Sequence, residues 1–138
     1  MDLLEKLNDQ SLALLEKLND EQRSIAEKVI AESLKQKVNP NFSLPLVMQE
    51  SRFNPNATSS KGAVGVMQLM PETAKGLKVD PNDVDQNIEG GIKLIKELSQ
   101  DKRIGNNPIN LLIGYNTGTK TRDKAFEEGI DEIGRAHV

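Results

Sequence analysis

The chain has 138 residues, which suffices for one domain with a substantial core but not for two ordinary domains. Hydrophobic residues make up 36% and charged residues 28%, and no apolar run approaches the ~20 residues of a membrane span. Cysteine is absent and the one histidine is His137, which argues against disulfides, a metal site or a Ser-His-Asp triad. A formal charge of −3 lacks the basic surplus of a nucleic-acid binder. We therefore expect no cofactor, no metal and no nucleic-acid partner, and we expect any catalysis to depend on carboxylates or lysines.

The N-terminal residues contain a repeat. Residues 3–9 return unchanged as residues 14–20, and this 11-residue step keeps the leucines on one helical face. The pattern predicts an amphipathic helix over residues 2–20, followed by a second helix from Glu21 to Lys37 that Asp20 caps. Two repeats are too few for a coiled coil. The first helix either packs on its own domain or contacts a helical partner or a second copy of the chain.

A third helix is predicted to begin near Phe42 or Ser43, because Pro45 is harmless only in a first helical turn. It leads into Glu50. Between Phe53 and Gly65 the chain is rich in Asn, Pro, Ser and Gly, which is loop composition, and a loop of this length is usually functional.

Three further helices follow in the prediction, and the last of them is apolar nearly all round, so we expect it to be buried at the centre. Their predicted spans are 71–78, 84–100 and 109–116. Residues 119–138 predict one or two short polar helices. Since no segment alternates strictly between apolar and polar residues, the predicted fold class is mainly α.

Glu50 is the candidate for chemistry. It emerges from an apolar helix next to a polar, glycine-bearing loop. Partial burial there would disfavour the charged carboxylate and raise its pKa, as a general acid near neutral pH requires. On composition alone, the commoner explanation is an ordinary surface charge at a helix end.

Five short segments favour the catalytic interpretation of Glu50 over a surface charge, because they occur in the order and spacing of one family. Residues 38–118 contain them, and the chain resembles the soluble lytic transglycosylases, which are related to goose-type lysozyme. The segments are Glu50-Ser51, Asn54-Pro55, Gly65-Val66-Met67-Gln68-Leu69-Met70-Pro71, Asn87-Ile88-Glu89-Gly90-Gly91 and Tyr115-Asn116-Thr117-Gly118.

The resemblance implies a lysozyme-like helical domain with a catalytic cleft, formed by residues 38–138 and preceded by amphipathic helices over residues 1–37. It implies that Glu50 is the catalytic acid and base and that the phenol of Tyr115 can hydrogen-bond its carboxyl. The side chains implied to contact substrate are Ser51, Met67, Gln68, Tyr115 and Asn116. Asn87 and the Gly90-Gly91 pair are more commonly architectural.

The implied reaction cleaves the glycan strands of peptidoglycan. Glycosidases mostly use two carboxylates, whereas a transglycosylase can use one, since the C6 hydroxyl of the cleaved N-acetylmuramic acid (MurNAc) is its nucleophile. The product is then 1,6-anhydroMurNAc. The alternatives are a hydrolytic goose-type lysozyme, or a wall-binding or virion structural module.

The chain departs from the family pattern at Gly114, Thr117 and Pro45, and residues 132–138 only loosely match the family's usual final helix. The N-terminus lacks a basic stretch followed by an apolar core, so a secretory signal is not predicted. We expect action at the bacterial cell wall, by an enzyme that a phage virion carries or that belongs to a larger secreted protein.

Overall fold

A computed structural model describes residues 3–118. After a 3-10 turn, Leu3–Lys6, six α-helices follow within this range, and residues 57–69 form only isolated bridges, Thr58 with Val64 and Val64 with Leu69. The mainly α fold class is therefore confirmed. None of the helices between residues 3 and 118 is long and apolar enough to cross a membrane. The helices are α1 (Asp9–Glu16), α2 (Asp20–Lys35), α3 (Pro40–Ser51), α4 (Pro71–Leu77), α5 (Val84–Gln100) and α6 (Pro108–Gly118).

The N-terminal repeat encodes two helix starts and not one continuous helix, so the predicted helix over residues 2–20 is wrong. Asn8 caps α1 by accepting a hydrogen bond from the Ser11 amide, and Asn19 caps α2 by accepting one from Gln22. Asn19 therefore takes the role predicted for Asp20. The Gln22 side chain also accepts from the Asn19 amide, which completes a capping box. The repeated Asn therefore interrupts the helix at the same point of each copy.

The third helix, α3, begins earlier than predicted. Asn39 is its N-cap and Pro40 its first residue, a position that suits proline because the first amide has no helical partner. Pro45 lies inside the helix and is exposed. Pro45 has no backbone N–H and so removes one helical hydrogen bond. This cost is the reason why the predicted helix began later, near Phe42 or Ser43.

Helix α3 packs against both α1 and α2, and α2 also packs on α5. Leu44 and Val47 of α3 are fully buried, as are Val29 of α2 and Ile92 of α5. Leu7 and Leu18, at equivalent positions of the repeat, also belong to the core. The division at residues 37 and 38 stays a prediction.

Helix α5 has the bounds that the sequence predicts, whereas the expectation for α6 was partly wrong. Leu111 and Tyr115 are buried, but Ile109 is 68% and Ile113 44% exposed. One face of α6 is thus open in the described part of the chain. The predicted helices over residues 119–138, and the family departure at residues 132–138, lie outside the described residues.

Helix α5 approaches the segment after the long loop very closely at Gly91. A Cβ built there would lie 2.5 Å from Cβ of Met67, whose side chain is fully buried. Any larger residue at position 91 would push α5 away from that segment.

We expect Gly91→Ala to lower the free energy of unfolding by about 1–3 kcal/mol, because the well-packed Met67 must move. Urea denaturation measures this. Gly76→Ala is the matched control, since Gly76 is exposed in α4 and its φ is not positive. There we expect no loss, or a gain of about 0.5–1 kcal/mol. Equal stability of the Gly91 variant and the wild type would contradict the close packing.

Candidate active site

Glu50 is the penultimate residue of α3 and is partly buried. Burial raises the pKa of its carboxyl above the ordinary value of 4.5. The helix ends abruptly after it, because Arg52 and Phe53 both have left-handed backbone conformations, with φ of 55° and 61°. Two consecutive non-glycine residues of this kind are uncommon, and Phe53, 1% exposed, anchors the turn in the core. The carboxyl thus sits at a fixed helix end.

Tyr115 lies near this carboxyl from α6. It is fully buried, and its pKa is raised well above the ordinary value, first by burial and then by the charge of Glu50. Tyr115 therefore stays protonated and neutral. Its hydroxyl donates to the main-chain carbonyl of Met67 at 2.7 Å. A phenol has one proton to give, so the expected hydrogen bond from Tyr115 to Glu50 is replaced by one to Met67.

Residues 66 and 67 are held by three different helices. The Ser51 hydroxyl of α3 donates to the Val66 carbonyl at 2.7 Å. The Met67 amide donates to Oδ1 of Asn87 on α5 at 2.8 Å, while its carbonyl accepts from Tyr115 of α6. All three side chains are buried. The segment is consequently fixed relative to the helix end that carries Glu50.

Gln68 continues this segment in a strained conformation, with φ of 52°. Its side chain is 7% exposed, and Nε2 donates to the carbonyls of Gly65 at 2.9 Å and Ala57 at 3.0 Å. These two bonds connect Gln68 to the earlier loop residues Ala57 and Gly65. The left-handed backbone of a non-glycine residue is maintained by such surrounding contacts.

Asn87 has a larger part than its sequence context indicated. In addition to its bond with the Met67 amide, Asn87 donates through Nδ2 to the carbonyls of Val64 at 2.8 Å and Pro81 at 2.9 Å. Gly65 leaves room for it, because a Cβ there would lie 2.5 Å from Nδ2 of Asn87. The segment match alone indicated an architectural residue, and the structure identifies three backbone groups that it holds.

The structure brings four of the predicted site residues close to Glu50 or to the segment beside it: Ser51, Met67, Gln68 and Tyr115. Asn116 follows Tyr115 on α6 and is exposed. Contact of any of these side chains with substrate stays a prediction. Sequence reasoning missed the left-handed turn at Arg52 and Phe53, for which the sequence carries no glycine or asparagine signal.

The mainly helical fold, with a partly buried Glu50 near the buried Tyr115, agrees with the lysozyme-like domain that the sequence resemblance implies. The pattern of the family described as "Transglycosylase SLT domain" matches residues 27–136. The chain belongs to this family, as the resemblance predicted.

Several curated proteins are similar to the chain. A "Transglycosylase" of Enterobacteria phage PRD1 is 46% identical over 68 residues, which cover 49% of this chain and 26% of that protein. A "Membrane-bound lytic murein transglycosylase C" of Actinobacillus pleuropneumoniae is 30% identical over 117 residues, 70% of this chain and 32% of that protein. A "Membrane-bound lytic murein transglycosylase F" of Haemophilus influenzae strain PittGG is 32% identical over 92 residues, 63% and 19% respectively. The chain thus spans about a third or less of each relative. No solved structure matched the chain.

We expect Tyr115→Phe to lower the free energy of unfolding by about 1–3 kcal/mol, because the buried Met67 carbonyl loses its donor. Thr117→Ala on the same helix is the control. Its hydroxyl bonds the Ile113 carbonyl at an exposed position, so we expect a change within about 0.5 kcal/mol. Denaturant titration of both variants measures the difference, and a Tyr115 variant as stable as the control would contradict the role of the phenol.

We expect Glu50→Gln to be more stable than the wild type at neutral pH. The folded-state pKa of Glu50 is raised above 4.5, so the folded protein holds its proton where the unfolded chain has lost it. Wild-type stability therefore decreases as the pH rises through this window, whereas glutamine does not titrate. The difference should vanish below pH 4.5 and grow as the pH rises through the raised folded-state pKa of Glu50.

Unfolding free energies measured from pH 4 to 8 test this expectation. Glu72→Gln, which removes an exposed carboxylate in the first turn of α4, controls for the loss of one negative charge. A Glu50→Gln advantage that is independent of pH, or that grows towards acid pH, would contradict the assigned burial.

Proposed function

We propose that the chain is a peptidoglycan lytic transglycosylase that cleaves the β-1,4 bond between MurNAc and N-acetylglucosamine, with Glu50 as acid and then base. The observation that carries this is a partly buried carboxyl of raised pKa beside a buried, neutral tyrosine, in a member of this family. The names of the curated relatives support the substrate and the reaction.

In the first step the protonated Glu50 gives its proton to the glycosidic oxygen. The bond between that oxygen and C1 of MurNAc breaks, the N-acetylglucosamine side leaves with a free hydroxyl, and C1 becomes cationic. The raised pKa keeps a larger share of Glu50 protonated near neutral pH, which favours proton donation. The neighbouring N-acetyl group of MurNAc can shield the positive charge.

In the second step the C6 hydroxyl of the same MurNAc attacks C1, and the Glu50 carboxylate takes the hydroxyl proton. The enzyme returns to its starting protonation state, the product has a 1,6-anhydro ring, and water is not consumed. Because the nucleophile belongs to the same sugar, it is present at high effective concentration. A second carboxylate to activate water is then unnecessary.

The alternative, a goose-type hydrolase, would need an acidic group that orients water. Of the four acidic residues between positions 66 and 85, Glu72 lies exposed in the first turn of α4, and the other three serve local structure. Asp83 caps α5, Asp85 pairs with Lys28 at 2.7 Å, and Asp80 accepts from the Asn82 amide. These engagements favour the transglycosylase over hydrolysis.

Ser51, Met67, Gln68, Tyr115 and Asn116 are the residues we propose to line or shape the sugar site. For Gln68, the contact would go through Oε1, because Nε2 already donates twice within the loop. Asn116 is the exposed member of the set. Through these residues the enzyme would act on glycan strands at the bacterial cell wall, and the phage relative supports a virion setting.

Digestion of purified sacculi followed by mass spectrometry of the muropeptides tests this function. We expect 1,6-anhydro ends from the wild type, and a loss of about 10²–10⁴-fold in rate for Glu50→Gln, because general acid–base catalysis contributes that much. Glu72→Gln should digest like the wild type. Products one water heavier would identify a hydrolase, and no release by the folded wild type would support a non-enzymatic module.

A further inference from the structure

Pro45 differs from the prolines that begin α3, α4 and α6, because it lies in the interior of its helix. An interior proline lacks the N–H that would bond the carbonyl four residues earlier, here that of Asn41, and its ring clashes with that carbonyl. Such a residue destabilises a helix, and sharp helix bends are almost always found at prolines. Pro45 is also one of the positions at which the chain departs from the family pattern.

The core does not need a proline ring at this position. Pro45 is exposed, whereas its neighbours Leu44 and Leu46 are buried. The ring lines an open surface groove together with Phe42 of the same helix and Ile109 of α6. An alanine here would restore the helical N–H without leaving a cavity in the core. The proline is therefore kept without a gain in core packing.

The side of the helix on which a proline lies sets the direction of the bend. The missing hydrogen bond and the ring clash open that side, so the helix becomes convex there, as helices that curve around a core are convex toward solvent. Pro45 is exposed, and Val47, about 200° further round the helix, is fully buried. A bend at Pro45 therefore tilts the last turns of α3 inward.

Glu50 lies beyond this bend and is sensitive to it. Five residues separate it from Pro45, a lever of about 7.5 Å, so a bend of about 20° moves the helix end by about 2–3 Å. A misplacement of about 1 Å can cost about 10²-fold in rate. Glu50 follows the buried Leu46 by one turn on the same stripe of α3, yet it is only partly buried. The exposure of its carboxyl thus depends on how far the helix end reaches inward.

Both halves of α3 are anchored to other parts of the chain, so a bend between them has a fixed direction. Before Pro45, the Asn41 side chain accepts from the Asn8 amide at 2.9 Å and from the Ser11 hydroxyl at 2.8 Å. After Pro45, the Ser51 hydroxyl donates to the Val66 carbonyl. The first anchor holds the helix start against α1, and the second holds the helix end against the loop segment beside Glu50.

Resting on the proposed function, we infer that Pro45 is a positioning residue for the reaction: it bends α3 toward the core and so sets how deeply Glu50 enters the site. Pro45 acts through the helix and not by contact with the sugar. A straighter helix would leave the carboxyl of Glu50 more exposed, with a pKa nearer its ordinary value of 4.5. Less of the acid form would then be available near neutral pH.

The pKa of Glu50 in Pro45→Ala tests this inference without any substrate. Protein isotopically labelled in its glutamate side chains is titrated by NMR, and the Glu50 signal is identified by its absence from Glu50→Gln. We expect the carboxyl of Pro45→Ala to titrate at lower pH than that of the wild type, toward 4.5, because the straighter helix exposes it. Arg52 and the neutral Tyr115 are the same in both proteins, so they do not cause a difference.

Pro108→Ala is the matched control. Pro108 is also exposed and lines the same groove, but it is the first residue of α6, where a proline removes no helical hydrogen bond. In this variant Glu50 should titrate as in the wild type. Thermal unfolding checks that both variants are folded. A pKa of Glu50 in Pro45→Ala equal to that of the wild type overturns the inference, even in an active enzyme.

Kinetics on soluble peptidoglycan fragments connect the position of Glu50 to the reaction. We expect Pro45→Ala to lower kcat about 10–100-fold and to leave KM within about twofold, because the proposed sugar contacts belong to other residues. Pro108→Ala should match the wild type in both constants. An active enzyme whose kcat is unchanged in Pro45→Ala overturns the inference. If the wild type cleaves no glycan while Pro45→Ala still lowers the pKa of Glu50, the bend stands and only the proposed function fails.

Discussion

The site depends on one pair of hydrogen bonds, those that hold the main chain of Met67. The Met67 amide donates to Asn87 of α5 and the Met67 carbonyl accepts from Tyr115 of α6, so two consecutive helices converge on one loop residue. Buried backbone groups without partners are costly, and this loop segment has no sheet to supply them. The side chains of Asn87 and Tyr115 supply them instead. Their placement also brings the phenol within electrostatic reach of Glu50.

The partial burial of Glu50 serves chemistry at the expense of stability. Removing a carboxyl from water penalises its charged form. The proton is therefore held to higher pH, and the folded state is less stable where the carboxyl is charged. The rigid surroundings compensate, since Phe53 anchors the turn after Glu50 and Ser51 ties the same helix end to Val66. A neutral Tyr115 adds no second negative charge beside the carboxyl. The electrostatic cost in this site thus falls on Glu50.

The sequence predicts the helical class, the bounds of α5 and the site residues around Glu50, because these follow from apolar periodicity, capping residues and short segments with fixed spacing. The sequence does not predict to which acceptor a buried hydroxyl donates its hydrogen bond. Tyr115 could serve Glu50 or a carbonyl, and only the packed structure selects Met67. Likewise, the apolar composition of α6 indicated full burial, yet Ile109 is exposed, since composition does not specify how many neighbours surround a helix. The start of α3 differs from the prediction because the Asn39 cap and Pro40 begin the helix even though Pro45 then lies in its interior.

The same four residues adopt two structures in the repeat: residues 3–6 form a 3-10 turn, whereas residues 14–17 end α1. What the two copies share is the following Leu and Asn, with Leu7 and Leu18 buried and Asn8 and Asn19 starting a helix. Excision of residues 8–18 would join Leu7 to Asn19 and recreate the local sequence that begins α2. Each 11-residue unit thus carries the local signal that begins a helix at its asparagine. Loss of one unit would keep the start of α2 but would remove α1, which packs on α3.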